Sequence, residues 1–138
     1  MEQGRKGKIY AFMVADLFHE GHRLFLEKAK ALGDYLVVGI LTDEAAKAYK
    51  REPVIPFRER YKIIQCVKYV DEVVVQDDVD PTENLKKINP DILVHGDDWP
   101  EDYLGSEYMR KMGKKAVRTE YYEGQSSSKI IRRIKDNY

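Results

Sequence analysis

The sequence predicts an α/β domain: a five-stranded parallel sheet of order 3-2-1-4-5 with helices on both faces. Three observations carry this. Short, nearly unbroken apolar runs recur at residues 9–15, 35–41, 72–75 and 91–95, as expected of strands buried on both faces. Segments with apolar residues three and four apart separate them, the period of half-buried helices. Right-handed crossovers between parallel strands then favour the order given. At 138 residues the chain has room for one core, so residues 1–138 form one domain.

In chain order, Ile9-Tyr10-Ala11-Phe12-Met13-Val14-Ala15 is the first strand, and Leu24, Phe25, Lys28, Ala29 and Leu32 mark the first helix. Gly33-Asp34 turns the chain into a second strand at 35–41, and Thr42-Asp43-Glu44 has the cap-and-acid signature of a helix start. Pro53 and Pro56 interrupt before a helix from about Phe57 that carries Arg60, Ile63, Ile64 and Val67. A third strand covers 72–75. Pro81 sits near the start of a helix running through Leu85 and Ile88 to a stop at Asn89-Pro90. The fourth strand ends at His95. Residues 115–118 and the tyrosines after them suggest a fifth, and a last helix from Ser126 to Asp136 turns Ile130, Ile131 and Ile134 inward.

Composition narrows the function. Charged residues make up 35% of the chain and cancel to zero net charge, so no global field argues for nucleic acid or membrane partners. No run approaches the ~18 apolar residues of a membrane span, and the charged start lacks a signal-peptide profile. A cytoplasmic protein is expected. The single cysteine, Cys66, excludes an internal disulfide and reads as a packed helix thiol.

The richest segment is Asp16-Leu17-Phe18-His19-Glu20-Gly21-His22, where the first strand gives way to a helix. Histidines three apart in a first helical turn share one face. Gly21 lets an anion approach the backbone closely, and first-turn amides would face it. Two histidines at a helix start could equally be polar caps. The third histidine, His95, also ends a strand, just before Gly96-Asp97-Asp98-Trp99. All three then lie along the carboxyl edge of one sheet, where open α/β folds bind ligands. With no cysteine nearby, a metal held by protein side chains is not expected. Among the cations of residues 43–60, Lys50 and Arg60 can turn toward this crevice. Gly124-Gln125-Ser126-Ser127-Ser128 offers hydroxyls at the positive end of the last helix.

Together these parts resemble the cytidylyltransferase branch of the Rossmann-like nucleotidyltransferases built around a His-x-Gly-His motif. The resemblance rests on residues 16–22, Lys50, Arg60, Tyr69-Val70-Asp71-Glu72-Val73-Val74, Gly96-Asp97-Asp98-Trp99 and the serine turn. It implies attack by a phosphate or phosphonate oxygen on the α-phosphorus of a nucleoside triphosphate, with release of pyrophosphate. It makes His19, His22 and Lys50 the catalytic set. Met13, Val14, Ala15, Gly21, Gly96, Asp97, Asp98, Gln125, Ser126, Ser127 and Ser128 would bind the nucleotide, and Asp16, Arg60 and Trp99 the acceptor. Mg²⁺ would be bound mainly through the triphosphate.

The family usually has Gly at position 13 and Phe at 15; this chain has Met13 and Ala15. Many glycerol-3-phosphate cytidylyltransferases have Arg-Thr where this chain has Tyr121 and Tyr122. The strand end, residues 49–53 and residues 94–99 are most similar to the cytidylyltransferase domain joined to phosphoenolpyruvate mutase. The implied reaction moves a cytidylyl group from CTP to a small phosphorylated or phosphonate alcohol, giving a CDP- or CMP-linked product. One alternative is an adenylyltransferase using ATP on a sugar phosphate or FMN-like acceptor. Another is a nucleotide-binding subunit without turnover. A homodimer stays open.

Overall fold

A computed structural model describes residues 7–138. Its strands are β1 (Lys8–Met13), β2 (Tyr35–Leu41), β3 (Glu72–Gln76), β4 (Ile92–Gly96) and β5 (Lys115–Thr119). The helices are α1 (Glu20–Lys30), α2 (Asp43–Tyr49), α3 (Phe57–Gln65), α4 (Thr82–Ile88), α5 (Ser106–Lys111) and α6 (Ser127–Asn137). The strands form one parallel sheet of order β3-β2-β1-β4-β5, as the sequence predicts. The change of direction in strand order falls between β1 and β4, so the crevice beyond their carboxyl ends is the natural ligand position.

Side chains alternate across the sheet. Ile9 and Ala11 face one layer, with Leu26, Ala29, Leu36, Val38, Ile40 and Ile64. Tyr10 and Phe12 face the other, with Val37, Leu41, Ala45, Leu85, Leu93 and Met109. In that second layer the Tyr10 hydroxyl donates to Gln76 Oε1 at 2.5 Å and accepts from Asn84 Nδ2 at 3.0 Å. Its path crosses β2 above Gly39, where a methyl group would stand 1.8 Å from the hydroxyl oxygen. Only glycine leaves room there.

Several sequence expectations are corrected. β1 stops at Met13 rather than Ala15, because Ala15 (φ 62°) and Leu17 (φ 52°) turn left-handed. α3 ends at Gln65, so Cys66 is its exposed C-cap rather than a packed thiol, and Val67 lies beyond the helix. Ile63, on the same helix, is also exposed. The tyrosines after β5 are outside the strand, and α5 has no counterpart in the sequence reading. On α6 Ile134 is exposed and Ile130 and Ile131 are half-buried, so the helix does not enter the core.

Candidate functional site

The site grows from the turn after β1. Left-handed backbone at a residue with a side chain costs of order 1–3 kcal/mol, and here Ala15 and Leu17 both adopt it, around Asp16. The distortion drives the Asp16 carboxylate inward, where it accepts from the amides of Val54 (2.8 Å) and Ile55 (2.9 Å). The Asp16 carbonyl accepts from Ser127 Oγ at 2.6 Å. Asp16 therefore ties the end of β1 to the loop before α3 and to the start of α6. Only 4% of it is exposed, and both carboxylate oxygens are spent on backbone amides, which leaves the side chain little to offer an acceptor.

His19 is the N-cap of α1. Its Nδ1 accepts from the Gly21 amide at 3.0 Å, and His22 Nδ1 accepts from the His19 amide at 3.1 Å. This is a reciprocal capping box made by two imidazoles instead of a hydroxyl and a carboxylate. An amide can only donate, so both Nδ1 atoms are unprotonated and each neutral ring carries its proton on Nε2. The ring centroids are 3.9 Å apart, and Phe18 stacks on His22 at 5.5 Å. Burial, reinforced by the neighbouring His19, pushes the His22 pKa down to about 3. Burial also lowers that of His19. The pair thus presents two neutral N–H donors at physiological pH.

Solution NMR offers a direct check. Long-range ¹H–¹⁵N spectra should show His19 and His22 as Nε2–H tautomers at pH 7.5, with His22 unprotonated down to pH 5. Because the folded-state pKa of His22 lies below its unfolded value, its contribution to stability is complete above about pH 6.5. It fades as the pH falls from there toward 3, and the melting temperature should fall with it. An Nδ1–H tautomer at either residue would contradict the arrangement.

His95 is built the opposite way. Its Nδ1 lies 3.1 Å from the Gly96 carbonyl oxygen, a pure acceptor, so the proton is on Nδ1 and the Nε2 lone pair is open. Burial lowers its pKa, opposed by the Gly96 carbonyl and by Asp98. Trp99 stacks on the ring at 4.0 Å, nearly parallel, and donates from its indole N–H to Tyr49 Oη at 3.0 Å. Farther along the same loop (residues 97–103), Tyr103 is 3% exposed. Its hydroxyl sits between the carbonyls of Leu93 (3.0 Å) and Val117 (2.8 Å). The loop is thus anchored in the core at one end.

The cations separate. Arg60 is 1% exposed. It donates to the carbonyls of Ile55 (2.8 Å), Val14 (2.5 Å) and Leu41 (2.9 Å) and to Asp43 (2.6 Å). Val14 and Leu41 stand where β1 and β2 end and Ile55 in the loop before α3, and this guanidinium supplies donors to all three carbonyls. Arg60 lies outside the cleft and is corrected from acceptor ligand to structural tie. Lys50, the C-cap of α2, does line the cleft. So does Arg51, which donates to Ser128 Oγ at 3.3 Å. Sequence reading passed over Arg51; its place directly beside Lys50 was the available signal.

At the start of α6, Ser126 Oγ caps the Lys129 amide at 3.1 Å, and Ser127 Oγ donates its proton to Asp16. The hydroxyls are therefore partly engaged, and the open donors of this turn are first-turn amides, which lack intrahelical partners. Ser128 and Asp97 do not border the main cleft. Asp97 accepts from the Tyr121 amide at 2.9 Å and lines an adjoining hollow with Asp98, Glu123 and Lys129.

These pieces enclose a cleft of about 250 Å³. Met13, Val14, Ala15, Asp16, His19, Gly21, His22, Lys50, His95, Gly96, Asp98, Trp99, Gln125, Ser126 and Ser127 border it, joined by Tyr49, Arg51, Tyr121 and Tyr122. One wall is aromatic and one is rich in N–H donors. Among the described residues no group of three His, Cys, Asp or Glu side chains could hold a metal ion, and no helix is long and apolar enough to cross a membrane.

Comparison with known proteins places these features in context. The cytidylyltransferase-like family model matches residues 14–133. The bifunctional protein HldE of Syntrophotalea carbinolica is 37% identical over 97% of this chain, which spans 28% of that relative. The chain thus covers little more than a quarter of the HldE proteins it matches. An FAD synthase from Ferroglobus placidus is 40% identical, with 92% of this chain and 87% of that protein aligned. Among solved structures, a lipopolysaccharide core biosynthesis protein from Thermoplasma volcanium superposes with a TM-score of 0.73 at 27% identity, covering 84% of this chain and 98% of that one. A pantoate-beta-alanine ligase from Francisella tularensis, at TM-score 0.58 and 16% identity over 95% of this chain and 69% of its own, shares the fold.

Proposed function

We propose, from the premise that this chain belongs to the cytidylyltransferase-like family, that it moves a nucleotidyl group from a nucleoside triphosphate to a small phosphate-bearing alcohol. It is a nucleotidyltransferase. One observation carries the assignment of its parts: two neutral imidazole N–H donors, a cation-bearing loop and a helix N-terminus border one cleft. In the reaction an acceptor oxygen forms a bond to the α-phosphorus, the bond from that phosphorus to the bridging oxygen breaks, and pyrophosphate leaves. Such transfers ask a protein for alignment and for donors fixed where charge develops.

His19 and His22 would donate from Nε2 to the α-phosphate and bridging oxygens. Neutral rings can do this without being protonated first. Lys50 would hold phosphate oxygens across the cleft, and the α6 amides would receive the β- and γ-phosphates. A Mg²⁺ arriving on the triphosphate would supply neutralising charge there. Trp99 and Tyr49 would flank the base or the acceptor.

Two nucleotides compete. ATP is the first reading, supported by the likeness to an FAD synthase, which is named for a product that contains an adenylyl group. CTP is the second reading, favoured by Asp98 on the cleft wall beside the Trp99–His95 stack. That carboxylate could accept from an exocyclic amino group, and the fixed indole narrows the space for a purine.

Pyrophosphate release should be measured for four nucleoside triphosphates against sugar phosphates, phospho- and phosphono-alcohols and FMN. Release with ATP exceeding the others by tenfold or more is expected. A larger signal with CTP would install the second reading. No release from any pair would defeat the transferase assignment.

A further inference from the structure

We infer that Arg51 is a phosphate-binding residue of this cleft, gripping the outer phosphates of the triphosphate opposite the start of α6; this rests on the nucleotidyl-transfer reading above. The backbone here is fixed, because the amides of Lys50 and Arg51 both bond to the Ala46 carbonyl as α2 ends. The side chain borders the cleft. A guanidinium has five N–H donors, yet Arg51 makes a single side-chain bond, to Ser128 Oγ at 3.3 Å. That is long beside the 2.7–2.9 Å of a typical charge-assisted bond.

Its Nε is buried with no partner, and among the described residues no carboxylate forms an ion pair with it. Arg60, nine positions on, shows the contrast: its guanidinium makes four bonds. A buried donor without a partner calls for an explanation. A ligand anion provides one.

The neighbour strengthens the argument. Arg51 faces Ser128, in the first turn of α6, the positive end of that helix. A cation against a helix N-terminus is unfavourable unless negative charge lies between them. The planar fork of an arginine matches two phosphate oxygens at once, which a lysine ammonium does not. Lys50 then serves as a mobile point charge, and Arg51 as the group that distinguishes triphosphate from monophosphate.

The test uses calorimetry with inorganic tripolyphosphate, ATP and AMP on wild type, Arg51→Gln and Arg51→Lys, with thermal melts of each. A bond to a charged group is worth about tenfold to a hundredfold in affinity. Arg51→Gln should lose that much for tripolyphosphate and ATP, keep its AMP affinity, and melt near wild type. Arg51→Lys should recover only part of the loss. Tripolyphosphate binding equal in Arg51→Gln and wild type would overturn the inference, as would equal losses for ATP and AMP. Wild-type pyrophosphate release is read separately: if it is absent while the tripolyphosphate difference stands, the transfer reading falls and the anion site remains.

Discussion

Turnover of a His22→Ala variant should fall about 10²–10³-fold, the usual consequence of removing one fixed donor from a developing charge. The alanine also removes the acceptor for the His19 amide, and losing half of a helix cap costs about 1 kcal/mol. A slower, less stable variant would therefore leave the two roles mixed. His22→Gln separates them. Glutamine is a normal third residue of a capping box and can accept from the same amide, but it lacks an imidazole Nε2–H aimed into the cleft. Its melting temperature should stay near wild type while kcat drops with the alanine variant. A folded His22→Gln protein with a near-normal rate would show that the histidine pair is only a cap.

The largest loss of stability is expected at Arg60. Replacing it with methionine keeps much of the volume but strips donors from the carbonyls of Ile55, Val14 and Leu41 and removes the partner of Asp43. A buried carbonyl left without its donor typically costs about 1–3 kcal/mol, while Asp43, its side chain 46% exposed, can turn to water; losing the donors of three carbonyls at once is a large share of a small domain's stability. Denaturant titration should show a midpoint far below wild type. The surviving folded fraction should also bind nucleotide poorly, because the loop carrying Lys50 and Arg51 leads to Ile55. An Arg60→Met protein of wild-type stability with only a raised KM for the acceptor would return Arg60 to the ligand-binding role that its sequence position suggests.

That difference shows where sequence reading stops. Lys50, Arg51 and Arg60 are cations within eleven positions, and nothing local distinguishes a guanidinium aimed at a ligand from one aimed at backbone carbonyls. The distinction depends on where β1 and β2 end, and the β1 end is set by left-handed residues 15 and 17 that carry no glycine to announce them. The strand order was legible because unbroken apolar runs and helix-period segments alternate. His19, Gly21 and His22 were legible as a group because the end of a strand fixes the place of the helix start behind it. Their tautomers were not, since these depend on which amide each ring meets. α5 escaped notice because six residues give too little periodicity. Cys66 sat in an apparently apolar helix, but the helix ended one residue earlier.

The Tyr10 hydroxyl, passing over Gly39 to Gln76, bears on how reproducibly the chain finds its alignment. Continuous apolar strands such as β1 and β2 discriminate poorly against sliding, since a displaced pairing still buries greasy residues on both faces. Here a slip of β2 by one position would put the side chain of Val38 or Ile40 where only a hydrogen atom fits. It would also strand a buried phenol without Gln76 and Asn84. One tyrosine and one glycine thus act as a ratchet against misregistration. The ends of three adjacent strands are held level, and with them the floor on which both substrates must meet.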